Sequence, residues 1–414
     1  MANALQIAMA LAAVLVAALL ARQAAALVRQ PPVIGEIAVG LILVPALSTA
    51  AGPDLTTALL PPDVQEHLRT IGTAGLALYL TGVGHSARPC RSEVPPRSYA
   101  WLLAGSLLPG LAAGALLAAW VVWRGDPGER GTAPTMALIL LLAAALAVTA
   151  VPVLVRVLTD RGMRDTSEGR LSVLTAVAID ALTWLLVAAA LAAASGGGRH
   201  LARALVVIVG GAGAAGAARL LLRQPAVSVW CQRWPTAAVA VLGVVTIAAA
   251  RATEAAGLTA IYGAVLVGLA MPWEGRQGPR SHVVHIVEGM GRLLVPAFFV
   301  TAGLTLSTKG PVGFSWWTMI LTVLLASAAK LAGGYAGARA AQLPTGTALR
   351  FAVLMNTRGL TEIAVLQAGM SAGILTPGLF FVLVVMALVT TAATGPLLSL
   401  TAHPPLLQLR PTDG

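Results

Sequence analysis

The chain has 414 residues, of which 57% are apolar and only 10% charged, and it carries a formal net charge of +11. Soluble globular domains carry about 25% charged residues, so the composition excludes that class. The excess of positive charge does not indicate nucleic acid: the basic residues fall in short loops between apolar runs, and no basic stripe with interleaved aromatics is present.

Runs approaching the ~20 apolar residues that cross a ~30 Å hydrocarbon core recur along the whole sequence. They are continuous rather than alternating, which selects helices over a β-barrel. The first run reaches its first arginine only at Arg22. A secretory signal places positive charge ahead of the apolar stretch, so a retained first helix is expected. Bounded by Pro, Gly and charge, the predicted spans are 5–28, 32–51, 68–84, 99–122, 135–158, 171–195, 201–222, 236–251, 257–272, 282–307, 316–341, 350–372 and 377–400. This describes an all-α integral membrane protein of about thirteen transmembrane helices. The eighth and ninth runs are short, which leaves twelve as the alternative count.

With the N-terminus outside and thirteen spans, the inner loops and tail hold 17 arginines and the outer loops seven Lys or Arg. That asymmetry predicts a multi-pass protein with its N-terminus outside and its C-terminus cytoplasmic; a bacterial plasma (inner) membrane is the expected location. Trp101, Trp120, Trp123, Trp230, Trp234, Trp273, Trp316 and Trp317 fall at run ends, as an interfacial belt requires, whereas Trp184 lies well inside a span. Cys90 and Cys231 are placed in cytoplasmic loops and lack metal-ligand spacing. The run Gly210-Gly211-Ala212-Gly213 continues to Gly216 without a following Lys-Ser/Thr, so it reads as helix packing rather than a phosphate loop. A short tail, 401–414, is expected to follow the last span. No cofactor is expected.

The informative residues are the ionisable ones, because each costs roughly 2.5–3.5 kcal/mol at a helix centre. Asp180 lies about ten residues into its span, with no charged neighbour within a turn. A structural carboxylate tied to another helix is one reading. The favoured one is an ion or proton site, since a carboxylate holds either H⁺ or a monovalent cation. Lys330, one of two lysines in the chain, is also at mid-span and is expected to meet a carboxylate, Asp180 being the candidate charge partner. Arg358 and Glu362 stand at i, i+4 and are read as a self-satisfied structural pair. Glu36, near the start of its span, is a candidate partner for a distant arginine. Thr149 and Pro152 mark a mid-span interruption that frees carbonyls and hydroxyls to hold an ion, and Asn356-Thr357-Arg358-Gly359 offers a similar one.

Several segments resemble the monovalent cation:proton antiporter family, in the branch of bacterial Na⁺/H⁺ exchangers and K⁺ efflux antiporters. They are QPPVIGEIAVGLIL (30–43), VTAVPVLVRVLTDRGM (148–163), GRLSVLTAVAIDALTW (169–184), FFVTAGLTLS (298–307), MNTRGLTEIAVLQAG (355–369) and LVVMALVTTAATGPLL (383–398). The resemblance implies an inverted-repeat fold with two broken crossing helices, at Thr149 and Asn356, and a homodimer in membrane lipid. It implies scaffold and dimerisation helices in 1–98, the first half of an ion-carrying core in 99–200, a linker helix and further scaffold in 201–309, and the second half of the core in 310–400. Asp180 then matches the shared ion and proton site, Lys330 the basic residue of the core, and Arg358 and Glu362 structural positions. The substrates implied are Na⁺ or K⁺ and H⁺, exchanged by an elevator-like movement of the core.

Two departures from the family pattern stand out. Ile179 replaces the first of two consecutive aspartates found in electrogenic members, which points to electroneutral exchange with Lys330 paired directly to Asp180. The third span ends Gly82-Val83-Gly84-His85, where relatives usually carry an acidic residue, and His85 is expected to be a solvated loop residue. Other function classes fare worse. A passive K⁺ channel or efflux pathway would need a carbonyl filter or an acidic ring, neither of which the sequence contains. An intramembrane enzyme would need an HExxH site or a second mid-membrane aspartate. A non-transporting membrane sensor is the remaining alternative.

Overall fold

A computed structural model describes residues 4–27, 35–36, 38–39, 61–86, 95–164, 166–195, 199–258, 260–275, 278–307 and 313–401. The predicted second span, Cys90 and most of the C-terminal tail lie outside the described residues. The described helices are α1 Ala4–Leu27, α2 Pro62–Ser86, α3 Pro96–Arg124, α4 Pro127–Arg130, α5 Thr135–Ala147, α6 Val151–Asp160, α7 Ser167–Ser195 and α8 Arg199–Leu222. They continue with α9 Pro225–Arg233, α10 Pro235–Ala255, α11 Ala260–Ala270, α12 Pro279–Ser307, α13 Trp316–Ala340, α14 Thr345–Met355, α15 Leu360–Ser371 and α16 Pro377–Leu400.

Among the described residues, nine helical stretches are long and apolar enough to cross a membrane, the α5–α6 stretch counting as one of them. The short eighth run becomes the 21-residue α10, and the ninth shrinks to the 11-residue α11. Cys231, predicted in a loop, is buried on α9.

The helices pack in two groups. In one, α2 lies against α12 and α11, with α10 and α1 alongside. In the other, α3 pairs with α13 and α5, and α7, α14, α15 and α16 complete the bundle. The helix α8 touches both, meeting α7 on one side and α11 on the other. Close approach within the second group depends on glycine: a Cβ on Gly105 would run into the backbone of Gly333 and Gly337 across the α3–α13 contact. Small residues that let backbones meet are what holds membrane helices together, since lipid supplies no hydrophobic drive between them.

Candidate ion site

The predicted interruptions are real breaks, and they meet each other. Helix α5 ends at Ala147, Val148 and Ala150 are extended, and α6 begins at Val151. Pro152 therefore does not kink a continuous helix. It sits in the first turn of a new one, where its missing N–H has no intrahelical partner to lose. The second break runs from Asn356 to Gly359, whose φ of 154° and ψ of −125° suit glycine. A Cβ there would stand 2.8 Å from a methyl of Val153. The Ala150 N–H donates to the Thr357 carbonyl at 3.1 Å, and the Thr149 hydroxyl donates to the Met355 carbonyl at 3.1 Å.

Breaking a helix inside a membrane orphans carbonyls, each at a cost of several kcal/mol unless protein satisfies it. Here two cations do so. Arg358 donates to the Ala145 carbonyl at 2.8 Å and the Leu146 carbonyl at 2.7 Å. Lys330 donates to the Ala147 carbonyl, to the Ser106 carbonyl at 3.2 Å and to the Thr149 hydroxyl at 2.9 Å. Both cations thus face the negative end of the α5 dipole, while Glu362 occupies the first turn of α15, the positive end.

The i, i+4 pair is present, Arg358 Nη1 lying 3.3 Å from Glu362 Oε1, with both side chains fully buried. From α16, Thr391 accepts the Arg358 N–H at 2.9 Å and donates to the Arg358 carbonyl at 2.7 Å, and Asn356 donates to the Thr390 carbonyl at 3.3 Å. Glu36 finds its expected arginines, Arg156 at 3.2 Å and Arg22 at 3.7 Å.

The expected direct pair of Lys330 with Asp180 is not formed. The ammonium is spent on the carbonyls and hydroxyl of the break, and no carboxylate lies within 4 Å of it among the described residues. The three N–H groups of the ammonium are thereby all taken. Asp180 is itself buried, on the helix α7 that packs against all four half-helices, α5, α6, α14 and α15. By rise alone it stands about 20 Å from the start of α7, at mid-depth. Ile179 beside it is fully buried.

Some polar groups of this region do not stand out in the sequence: Thr183 of α7 and Thr361 of α15 are buried with no hydrogen-bond partner among the described residues, as is the side-chain oxygen of Asn356, a residue the sequence did mark. Buried polar atoms are normally satisfied, so these are oxygens open to a cation or water. The signal that finds them is a polar residue three or four positions from another on an otherwise apolar helix, as Thr183 is from Asp180.

The seam between the two helix groups differs at its two ends. At one end Arg164, just before α7, pairs with Glu288 of α12 and donates to Ser86 of α2 at 3.2 Å. Tyr79 of α2 and Thr159 of α6 share a hydrogen bond of 3.0 Å beside them. At the other end a cavity of about 260 Å³ separates the groups, with Arg69 and Glu254 among its walls and Trp184 and Thr361 on the ion-site side. The same end-on view explains the missing acid of the third span. A Cβ on Gly82 would strike the Glu288 carboxylate, so the negative charge at that position comes from α12 instead. His85 is not a solvated loop residue: it is fully buried at the end of α2, its ring nitrogens 3.2 Å from the Met271 carbonyl and 3.2 Å from Ser281 Oγ.

A helical membrane bundle with two crossed, interrupted helices and buried ionisable groups at mid-depth defines a secondary transporter rather than an enzyme. The chain matches the family described as sodium/hydrogen exchanger, transmembrane, over residues 10–402, and it belongs to that family. Monovalent cation/proton antiport is the activity of the class. The sequence is 28% identical over 378 residues to the Na(+)/H(+) antiporter NhaS4 of Synechocystis, covering 89% of this chain and 90% of that one. It is 30% identical to Cation/H(+) antiporter 20 of Arabidopsis thaliana, covering 89% of this chain but only 45% of the relative. It therefore spans about half the length of the plant proteins it matches. The fold is similar to that of the sodium proton antiporter MjNhaP1 of Methanocaldococcus jannaschii, with a TM-score of 0.65 at 16% identity over 97% of this chain and 100% of that one.

Proposed function

We propose that the protein exchanges Na⁺ or K⁺ for H⁺ at Asp180, one cation for one proton, by alternating access across a bacterial plasma membrane. The observation that carries this reading is the placement of a buried carboxylate on a helix that touches all four halves of the broken pair. Asp180 binds a proton or a cation but not both. The buried oxygens of Thr183, one helical turn from Asp180, and of Asn356 are candidates to complete a cation's shell. Lys330 and Arg358 hold the broken ends in place, and Asp180 is the group that trades charges. A single trading carboxylate, with Ile179 beside it, makes the cycle electroneutral.

The group containing α3, α5–α7 and α13–α16 is the moving, ion-carrying part, and the group containing α1, α2 and α10–α12 is the scaffold and the contact of a homodimer. The cavity beside Trp184 and Thr361 is the outer vestibule, and the Arg164–Glu288 cluster closes the inner side, with the N-terminus outside. This arrangement is an outward-facing state.

The test is pH fluorescence inside proteoliposomes on addition of Na⁺, Li⁺ and K⁺ in turn, with membrane current recorded in parallel. Cation-driven proton movement without current is expected. Because the two ions compete for one carboxylate, the KM for the cation should rise as pH falls. Flux that persists without a counter-gradient, or exchange retained by Asp180→Asn, defeats the assignment.

A further inference from the structure

Between α8 and α10 lies a groove of about 550 Å³, almost wholly apolar, distinct from the seam that holds the ion site. Its walls are the small residues Gly210, Ala214 and Ala215 of α8 and Val241 and Val245 of α10, with Leu266 of α11 among its lining. Nothing stands within 4 Å of a Cβ built on Gly210, so the small side chains keep the groove open rather than packing it shut. The walls are held in place. Tyr262 of α11 donates to the Ile208 carbonyl at 2.8 Å, and Arg219 of α8 donates to the Leu269 carbonyl at 2.8 Å.

One end of the groove is different. There α9 contributes Trp230 to the lining, and Arg223 and Arg233 stand at either side of that short helix. Both arginines are exposed, and among the described residues neither has a carboxylate within 4 Å. The nearby acid, Glu274, is already committed, 2.7 Å from Arg280 and 3.4 Å from the Ser228 hydroxyl of α9. Arg280 in turn donates to the Gln224 carbonyl at 2.6 Å. An apolar channel ending in an interfacial tryptophan and two unneutralised guanidiniums has the polarity of a lipid with an anionic head.

We propose that this groove binds an anionic phospholipid, one acyl chain lying along α8 and α10 and the phosphodiester held by Arg223 and Arg233. A second copy of the chain fits the groove less well. A second copy would have to bury two guanidiniums that have no carboxylate to meet, whereas a phosphodiester supplies the negative charge. Since α8 joins the two helix groups, an occupied groove ties the connecting helix to α10.

The experiment uses the full-length protein in detergent, with phosphatidylglycerol or phosphatidylcholine titrated in, and reads bound lipid by native mass spectrometry. Preferential retention of phosphatidylglycerol is expected. Affinity should fall about fivefold for each of Arg223→Gln and Arg233→Gln, the worth of one basic side chain at an anionic surface. Ala215→Phe, which fills the groove, should lose the lipid while the protein remains folded by circular dichroism. Equal retention of the two lipids, or a double arginine variant that still selects phosphatidylglycerol, overturns the proposal. So does a variant at Ala215 that dissociates a dimer while lipid binding persists, because the groove is then a subunit contact.

Discussion

In the group built from α3, α5–α7 and α13–α16, ionisable side chains reach the middle of the bundle: Asp180, Lys330, Arg358 and Glu362 are all buried there. In the group built from α1, α2 and α10–α12, they fall in terminal turns or along the first half of α12, as Arg22, Arg69, His85, Glu254 and Glu288 do. The difference is that one is interrupted. Two broken helices supply orphan carbonyls, carbonyls demand cations, and cations within a low-dielectric interior demand carboxylates or dipoles nearby. Among the described residues the other group has no such crossing and asks for none of this.

That contrast can be attacked directly. The largest effect is expected from Asp180→Asn, which should abolish cation-driven proton movement in proteoliposomes and leave the yield and melting temperature of the purified protein near wild type. Arg358→Ala comes next. It strips the Ala145 and Leu146 carbonyls of their donor and leaves Glu362 buried without its partner, a loss of about 3–5 kcal/mol. Thermal melting should fall sharply, and Arg358→Lys should recover only part of it because ammonium lacks the fork. An equal melting temperature for Arg358→Ala would mean the crossing does not need that cation.

A smaller effect belongs to the uninterrupted group. Gly291 of α12 faces the backbone of α2 at Tyr79, and Gly291→Val should cost about 1–3 kcal/mol by forcing the two helices apart. Melting should drop while the cation KM of the surviving protein stays at the wild-type value. A changed KM would erase the distinction between the groups. Thr149→Ala removes one acceptor of Lys330 and should cost about 1–2 kcal/mol, with Thr149→Ser restoring it. The smallest effect is at the seam. Glu288→Gln weakens the contact with Arg164 and should favour the inward-facing arrangement, read as a few-fold change in cation KM measured from the inner side, with little change in melting.

Much of the crossing could be read from the sequence, and the reason is energetic. A charged residue or a proline inside an apolar run is costly enough to need a purpose, so Asp180, Lys330, Pro152 and the Arg358–Glu362 pair announced themselves by position alone. The i, i+4 pair was legible because helix geometry fixes it locally. The partner of Lys330 was not. Nothing in a linear chain says that a carbonyl at Ala147, 183 residues away, will be orphaned beside it, and backbone atoms leave no mark in the residue alphabet. His85 reads as a loop residue for the same reason: its burial depends on Ser281 of α12 and on Met271, just past the end of α11.

What the sequence determined by itself was the solvent. Hydrocarbon admits only long apolar helices, so composition and run length settled the class, and the cost of burying charge marked the ionisable residues that the bundle buries. What only the tertiary structure decided was who meets whom. The two breaks touch, Glu288 rather than a residue on α2 supplies the acid over Gly82, and the seam is closed at one end and hollow at the other. Those are long-range juxtapositions, set by how the surfaces of apolar helices pack on one another, and composition cannot distinguish one such packing from the next.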